Sequence, residues 1–399
     1  MLAMKKSSWR FAGSRKFSLS RVADREHPVP MRTPLAFPGS MFIGVLIMAA
    51  VIGSTARGDA SGSSVSDAPR LDRTNLLLYH DQSGQVAPVR SISDWQKRRA
   101  EILHGFVAVA GTFPSHSGQV PLDIDVREEV DCGDYVRRLL TYTSEPGSRV
   151  PAYLLIPKSA LGGGRKAVGI LCLHQTHALG QKVVVGLGSS PNDEYGVELV
   201  RRGYVCLAPA YPLLADYHPD LKKSGYQSGT MKAIHDNIRG LDLLESLPFV
   251  KPKAFGAIGH SLGGHNAIFT AVFDDRLKAI AVSCGFDSFL DYMNGDIRGW
   301  TGERYMPRLL SYCNDLSGIP FDFHELIGAL APRAVFVSAP LGDTNFKWRS
   351  VDVITQAASQ VYALYGVPGN LHVEHPDCVH LFPREMREAA YKMFDEQLK

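Results

Sequence analysis

The segment that most constrains the fold spans residues 253–271. A short apolar run ends at Ile258, the turn Gly259-His260-Ser261-Leu262-Gly263 follows, and an Ala-, Ile- and Phe-rich segment typical of a helix comes next. A G-x-S-x-G turn between a strand and a helix is the setting of a nucleophilic serine, here Ser261. Both glycines are needed because a Cβ would keep the strand and the helix apart. The alternative is a glycine-rich turn in which the serine only caps the helix.

From residue 166 onward, short apolar segments alternate with amphipathic ones. The apolar segments predict strands at residues 167–173, 204–210, 255–258, 277–283, 334–339 and 371–374. The amphipathic segments predict helices at residues 195–202, 230–247, 262–273 and 384–398. This alternation is typical of an α/β domain whose mostly parallel sheet is covered by helices on both faces.

An antiparallel edge is predicted before this region. A helix is expected at residues 93–110, and the segments 122–130, 135–143 and 150–156 read as strands separated by turns. These three strands form a meander that would extend the parallel sheet on one side.

Residues 287–332 break the alternation of strands and helices and predict an inserted cap above the sheet. The insertion contains Trp300, Tyr305 and Tyr312. Aromatic faces of this kind either stack on sugar rings or pack the insertion against the sheet.

The N-terminal part of the chain predicts export. Residues 41–53 are an uninterrupted apolar run. Its length suits a signal-peptide core and falls short of the roughly 20 residues of a membrane-spanning helix. Small residues suited to cleavage follow at 54–56 and 58–60. We therefore expect a secreted or periplasmic protein with no stable membrane partner after cleavage. An uncleaved anchor is the alternative, and Met31 or Met41 is an alternative start.

The predicted organisation has three parts: a signal peptide and N-terminal extension at residues 1–60, a linker at 61–90, and an α/β domain at 91–399. Nine Lys and Arg residues and three acidic residues give the first part a net charge of +6, which leaves −3 for the rest of a chain whose total is +3. Because the body has no basic excess, a nucleic-acid partner is excluded. The oligomeric state stays open.

No cofactor or metal is expected. The spacing of the six cysteines matches neither a metal site nor a disulfide framework, although a single bridge stays open. The segment His324-Glu325-Leu326-Ile327-Gly328 begins like the zinc motif H-E-x-x-H but lacks the second histidine. Dinucleotide and phosphate-loop fingerprints are also missing from the sequence.

Two side chains downstream of Ser261 complete a candidate catalytic triad. A serine nucleophile needs a base, and the base needs an orienting acid. In a parallel sheet, both are expected beyond the carboxyl ends of the strands. Asp343 directly follows the predicted strand 334–339, and His380 lies in the loop after the last strand. The chain order Ser, Asp, His is the order found in α/β-hydrolases.

Other side chains compete for the roles of acid and base. The alternatives are Asp287, Asp377, His372 and His375. We favour His380 as the base because His372 falls within a predicted strand and His375 begins the loop. His260 and His265 flank the turn; the first is expected to pack under it and the second to lie on the helix, so neither is predicted to be the base.

A developing oxyanion needs preorganised N–H donors. The backbone N–H of Leu262, at the positive end of the helix dipole, is one predicted donor. The second is expected from the loop after the predicted strand 167–173, where it is the N–H of Thr176, or that of Gln175 if the register shifts by one.

Several segments carry a family resemblance. They are Leu171-Cys172-Leu173-His174-Gln175-Thr176, Arg202-Gly203-Tyr204-Val205, Gly259-His260-Ser261-Leu262-Gly263-Gly264, Ala331-Pro332-Arg333 and a Pro-Asp-x-x-His-x-Phe-Pro pattern ending at Pro383. Over most of residues 90–399 the chain resembles the α/β-hydrolase superfamily. More narrowly, it is similar to secreted bacterial esterases of the dienelactone hydrolase and acetyl xylan esterase kind. The resemblance implies a serine carboxylic ester hydrolase that deacetylates a small-molecule or carbohydrate ester.

Two other functions are weighed against this one. A serine peptidase of the prolyl-oligopeptidase type shares the turn and the triad, but it usually carries a β-propeller, for which this short N-terminal region has no room. A non-catalytic binding protein would need none of Ser261, Asp343 and His380.

Overall fold

The computed structural model describes residues 70–114, 120–163 and 166–399. Within these ranges the strands are β1 (Leu78–His80), β2 (Val86–Pro88), β3 (Asp125–Asp131), β4 (Tyr135–Glu145), β5 (Ser148–Pro157), β6 (Gly169–Leu173), β7 (Val205–Pro209), β8 (Phe255–His260), β9 (Leu277–Ser283), β10 (Ala334–Ser338) and β11 (Leu371–Glu374). The α-helices are α1 (Ile92–Ala110), α2 (Lys158–Leu161), α3 (Tyr195–Arg201), α4 (Gly229–Ser246), α5 (Leu262–Phe273), α6 (Phe323–Gly328), α7 (Trp348–Leu364) and α8 (Arg384–Leu398).

A nine-stranded sheet organises the domain, with the order β11-β10-β9-β8-β6-β7-β5-β4-β3. The strands from β6 to β11 run parallel to one another, whereas β5, β4 and β3 continue the sheet in antiparallel fashion. The predicted α/β class and its antiparallel edge are both confirmed. Strand β8 leads into the turn of Ser261, which we call the elbow. It lies between β6 and β9, so the loops after all three strands meet at one end of the sheet.

Successive residues of the central strands pack their side chains into two different hydrophobic cores, one on each face of the sheet. Leu171 packs into the core under α1, α4, α5 and α7, whereas Cys172, its neighbour on β6, packs into the core under α3 and α8. The cause is the two-residue repeat of a strand, which sends alternate side chains to opposite faces. Burial of a side chain such as Phe394 on α8 stabilises the folded state by about 1.5–3 kcal/mol.

Helix α7 is absent from the sequence predictions. It connects β10 to β11, and its buried side chains include Val351, Ile354, Ala358 and Val361. These residues recur at helical spacing and face the core. Alanines and polar residues between them dilute the hydrophobic signal along the sequence.

Residues 70–90 pack on the domain, which corrects the prediction of a linker over 61–90. They contain the antiparallel pair β1 and β2. Arg70 and Arg73 form ion pairs with Glu325 and Asp322 of the α6 region, whose carboxylates are fully buried. Residues 61–69 and the predicted signal segment 41–53 lie outside the described residues.

The insertion 287–332 contains four short 3₁₀ turns and helix α6. Trp300 is only 3% exposed and lies among the rings of Phe289, Tyr305 and His265. Of the two roles expected for this tryptophan, packing of the insertion against the domain is the one it performs.

No helix in residues 70–114, 120–163 or 166–399 combines the length and the apolar character that crossing a bilayer requires.

Candidate active site

The turn between β8 and α5 holds Ser261 in a strained conformation. Its backbone has φ 54° and ψ −120°, a region that residues with a Cβ rarely occupy. A Cβ built on Gly259 would lie 2.2 Å from the carbonyl carbon of Gly263, and one built on Gly263 would lie 1.9 Å from the carbonyl oxygen of Leu173. Both glycines are therefore required by close backbone contacts, as the sequence predicted.

The structure brings Asp343 and His380 together. The Nδ1 of His380 lies 2.9 Å from Oδ2 and 3.1 Å from Oδ1 of Asp343. The backbone N–H groups of Asn345 and Phe346 also donate to Oδ1. Burial raises the pKa of the Asp343 carboxyl, but the hydrogen bond and charge of His380, together with these two donors, outweigh it and hold the pKa below its usual value.

Asp287, the main rival acid, makes no hydrogen bond to His380 within the described residues. Its Oδ2 accepts a hydrogen bond from the backbone N–H of Lys347, and its Oδ1 has no partner among the described residues. Burial raises the pKa of this carboxyl to about 8. Asp287 is therefore mostly protonated at neutral pH, which does not suit an acid that must stabilise an imidazolium.

The rival bases have other partners. His375 bonds to the carbonyl oxygen of Ala339 at 2.7 Å and to Asp352 at 2.8 Å. His372 is exposed and pairs with Glu374 on its own strand. The remaining alternative, Asp377, is exposed at the surface of the loop.

His260 connects the elbow to the loop of His380. The centroids of the two imidazole rings are 4.8 Å apart, and His260 also stacks on Phe382. Burial, followed by the charge of His380, lowers the pKa of His260 to about 3. No hydrogen bond links Ser261 Oγ to His380 in the parts of the chain that the structure describes; catalytic hydrogen bonds are often long before substrate binds.

His265 lies one turn into α5, and its Nδ1–H donates to the carbonyl oxygen of Gly285 at 3.0 Å. Burial lowers the pKa of this imidazole to about 3. The ring is therefore a neutral packing element, in line with the expectation that it is not the base.

The loop after β6 carries the predicted oxyanion donors. His174 holds this loop, because its Nδ1 bonds to the carbonyl oxygen of Gln175 at 2.8 Å while its Nε2 accepts from the N–H of Tyr211 at 3.0 Å. Within the described ranges, the backbone N–H groups of Leu262, Gln175 and Thr176 have no acceptor. No described backbone acceptor therefore competes for these three donors.

Two residues near this site had no assigned role from the sequence. His174 precedes the oxyanion loop, and burial lowers its pKa to about 4, so it braces the loop as a neutral ring. Cys284 follows β9 with φ 49°, and burial, followed by the charge of Asp343, raises the pKa of its thiol. The role of His174 could have been predicted from the sequence, because this residue stands beside the loop that carries the oxyanion donors. The position of Cys284 near the site could not, because the residues that surround its thiol are distant in sequence.

Proteins of known structure share this architecture. A glucuronoyl esterase from Solibacter usitatus superposes with a TM-score of 0.64 over 84% of this chain and 99% of that one, at 19% sequence identity. A CE15 glucuronoyl esterase from Caldicellulosiruptor kristjansonii superposes with a TM-score of 0.60 over 81% of this chain and 90% of that one, at 20% identity. The chain has the α/β-hydrolase fold. No family model matches the sequence.

Curated relatives align over a smaller part of the chain. YtaP of Bacillus subtilis, which is named as a hydrolase, is 27% identical over 168 residues, or 41% of this chain and 53% of that protein. The 4-O-methyl-glucuronoyl methylesterase 1 of Sodiomyces alcalophilus is 25% identical over 146 residues, or 32% of this chain and 29% of that protein. The chain thus matches about half of the first relative's length and under a third of the second's.

Proposed function

We propose that this protein is a serine carboxylic ester hydrolase with the triad Ser261, His380 and Asp343. The observation that carries the proposal is the hydrogen-bonded pair of His380 and Asp343, which lies beside a strained serine turn at the carboxyl ends of β8, β10 and β11. A serine, an imidazole and a buried carboxylate in these positions form a nucleophile, a base and an orienting acid.

In the proposed reaction, Ser261 Oγ attacks the ester carbonyl and its proton passes to Nε2 of His380. Asp343 holds the proton on Nδ1 and stabilises the imidazolium that forms. The oxyanion binds to the free N–H groups of Leu262 and of Thr176 or Gln175. His380 then protonates the leaving alcohol oxygen, and the ester bond breaks to give an acyl-enzyme. Water then attacks the acyl-enzyme through the same steps, with His380 as the base, and the carboxylic acid is released.

We further propose that the substrate is a carbohydrate ester. The names of several similar proteins support this class, since they are glucuronoyl esterases or a methylglucuronoyl methylesterase. Acetate on a sugar, the substrate predicted from the sequence, remains our first choice of acyl group. Stacking by Trp300 no longer supports it, because that ring is buried.

A secreted or periplasmic location also stays a proposal, supported by the apolar run at residues 41–53. N-terminal sequencing of the mature protein should begin near Arg57 or Ser61. An intact N-terminus recovered from the cytoplasm would contradict export.

The decisive test of the function compares the wild type with Ser261→Ala on a panel of substrates. The panel contains nitrophenyl esters of increasing chain length, acetylated xylan, acetylated monosaccharides and a methyl ester of glucuronate. The Ser261→Ala variant should lose about 10⁶-fold in kcat, as serine removal does in other triads. Ser359→Ala, which changes an exposed serine, is the matched control.

The substrate outcomes separate the alternatives. Release of acetate from sugars supports deacetylation. If only the glucuronate ester is cleaved, the sugar supplies the acyl part of the ester and not the alcohol. Cleavage of peptide amides alone would overturn the esterase proposal, and so would full activity of Ser261→Ala.

A further inference from the structure

Three metal-ligating atoms from different loops meet beside the triad. They are the thiol sulfur of Cys284, a carboxylate oxygen of Asp343 and a ring nitrogen of His380, and all lie within 4.8 Å of one another. The three residues follow β9, β10 and β11, which are neighbours in the sheet. The parallel strands thus deliver one sulfur, one oxygen and one nitrogen to the same point.

The backbone directs the thiol of Cys284 towards this point. Cys284 has φ 49°, and its N–H donates to the carbonyl oxygen of Ser338 on β10 at 2.9 Å. Its sulfur lies 3.4 Å from the carbonyl oxygen of Leu381, the residue that follows His380. The side chain therefore faces the loop of the base, and the proposed ester chemistry makes no use of it.

We propose that Cys284, Asp343 and His380 form a binding site for a soft divalent metal ion such as Zn²⁺ or Cd²⁺, and that the bound ion switches the enzyme off. Thiolate sulfur, imidazole nitrogen and carboxylate oxygen are the ligand set of zinc in proteins, and three protein ligands leave a fourth position for water. Metal–ligand bonds of about 2.0–2.3 Å place such atoms roughly 3–4 Å apart. The three ligand atoms therefore need to approach one another by only about 1 Å to bind the same ion.

Binding balances in charge and in protons. The thiol releases its proton to water, because a coordinated thiol is deprotonated. The Nδ1 lone pair binds the metal, so the proton of the ring resides on Nε2. One thiolate and one carboxylate then neutralise the dication. The side chain of His380 is 28% exposed, so one of the three ligands is partly open to solvent.

The inhibition follows from the same tautomer. An imidazole that carries its proton on Nε2 cannot accept the proton of Ser261, and Asp343 can no longer orient it. This part rests on the proposed ester hydrolysis. Metal binding itself does not, so the two are measured separately.

The experiment uses the full chain and adds Cd²⁺ and Zn²⁺ in turn. Cd²⁺ should produce an ultraviolet thiolate-to-metal charge-transfer band in the wild type, and the band should be lost in Cys284→Ala. Zn²⁺ should inhibit ester hydrolysis reversibly, with activity restored by a chelator. Half-inhibition of Cys284→Ala should need at least about tenfold more Zn²⁺, since even outer partners of a metal site are worth 10–100-fold.

Matched variants make each outcome decisive. Cys378→Ala removes a less buried thiol from the loop that carries His380 and should keep both the band and the inhibition. Ser261→Ala should keep the band without any ester turnover, so binding is read even if the proposed function fails. Cys284→Ser, which keeps the side-chain volume, replaces Cys284→Ala if the latter unfolds. An undiminished band together with unchanged Zn²⁺ sensitivity in the Cys284 variants would overturn the site.

Discussion

The imidazole rings of His260 and His380 meet with centroids 4.8 Å apart and planes at 52°. His260 immediately precedes Ser261 in the chain, so this contact fixes the proposed base beside the nucleophile turn. The Nδ1 of His260 lies 3.1 Å from the hydroxyl of Ser283 on the neighbouring strand. The ring is thus held from the sheet side while it supports the loop of His380.

A single ionisation should govern the acid limb of the pH–activity profile. Burial, followed by the charge of His380, lowers the pKa of His260 to about 3, so this ring stays neutral at pH 4–8. The logarithm of kcat/KM should therefore fall with a slope of one on the acid side of the profile, because His260 binds no second proton there. The slope is measured from kcat/KM for a neutral ester at several pH values, in buffers of constant ionic strength. A slope of two would mean that both imidazoles titrate together.

Replacement of the two candidate acids should separate their roles. Asp343→Asn should lower kcat by about 10⁴-fold while substrate binding and thermal stability stay close to the wild type, because the imidazole adopts the wrong tautomer. Asp287→Asn should change kcat little at pH 7, since the amide mimics a carboxyl whose pKa burial raises to about 8. Steady-state kinetics of both variants decide the matter, and a larger loss in Asp287→Asn would reassign the acid.

The same Asp287→Asn variant should change how stability depends on pH. The raised pKa means that the folded protein holds a proton on Asp287 between about pH 4 and 8, whereas the unfolded chain does not. This group therefore lowers the free energy of unfolding as pH rises through that window. Urea unfolding at several pH values should show a stability that falls less steeply with pH in the variant than in the wild type.

Gly263→Ala should damage both stability and activity. Its Cβ would lie 1.9 Å from the carbonyl oxygen of Leu173, which is backbone and cannot rotate away. We expect a loss of at least about 1–3 kcal/mol in the free energy of unfolding and a displaced Ser261. Gly369→Ala is the control, because its Cβ would meet no atom within 4 Å. Equal melting temperatures for the two variants would show that the elbow tolerates a methyl group.

Arg73→Ala should destabilise the domain far from the site. Arg73 lies 3.2 Å from Asp322, whose side chain is fully buried, so its removal leaves a buried carboxylate without its cation. We expect the free energy of unfolding to fall by about 3 kcal/mol, the low end for a broken buried ion pair, because Ser288 still donates a hydrogen bond to Asp322. Urea unfolding of Arg73→Ala measures it.

An exposed ion pair provides the contrast. Arg298 and Asp296 are solvent-exposed partners in the insertion, and Arg298→Ala should leave the melting temperature unchanged. A comparable loss in both arginine variants would mean that burial of Asp322 does not govern the effect.

The fold was predictable where one segment carried its own pattern. The parallel strands were runs of apolar residues, and the elbow combined a strand, two glycines and a helix within residues 253–271. Helix α7 was not predicted, because small and polar residues interrupt its apolar side. The segment 70–90 was predicted as a linker, since its arginines find their carboxylate partners some 250 residues away, as in the bond of Arg70 to Glu325.

By itself, the sequence determined the local geometry around Ser261 and the α/β class, because strand, turn and helix preferences act over a few neighbouring residues. It proposed Asp343 and His380 but left Asp287 and His375 open, since every one of them follows a strand. Only the tertiary structure decided which carboxylate meets which imidazole, because that depends on how neighbouring loops close over the sheet. It also placed the thiol of Cys284 against the pair, a contact between residues 59 and 96 positions apart in the chain that no local pattern encodes.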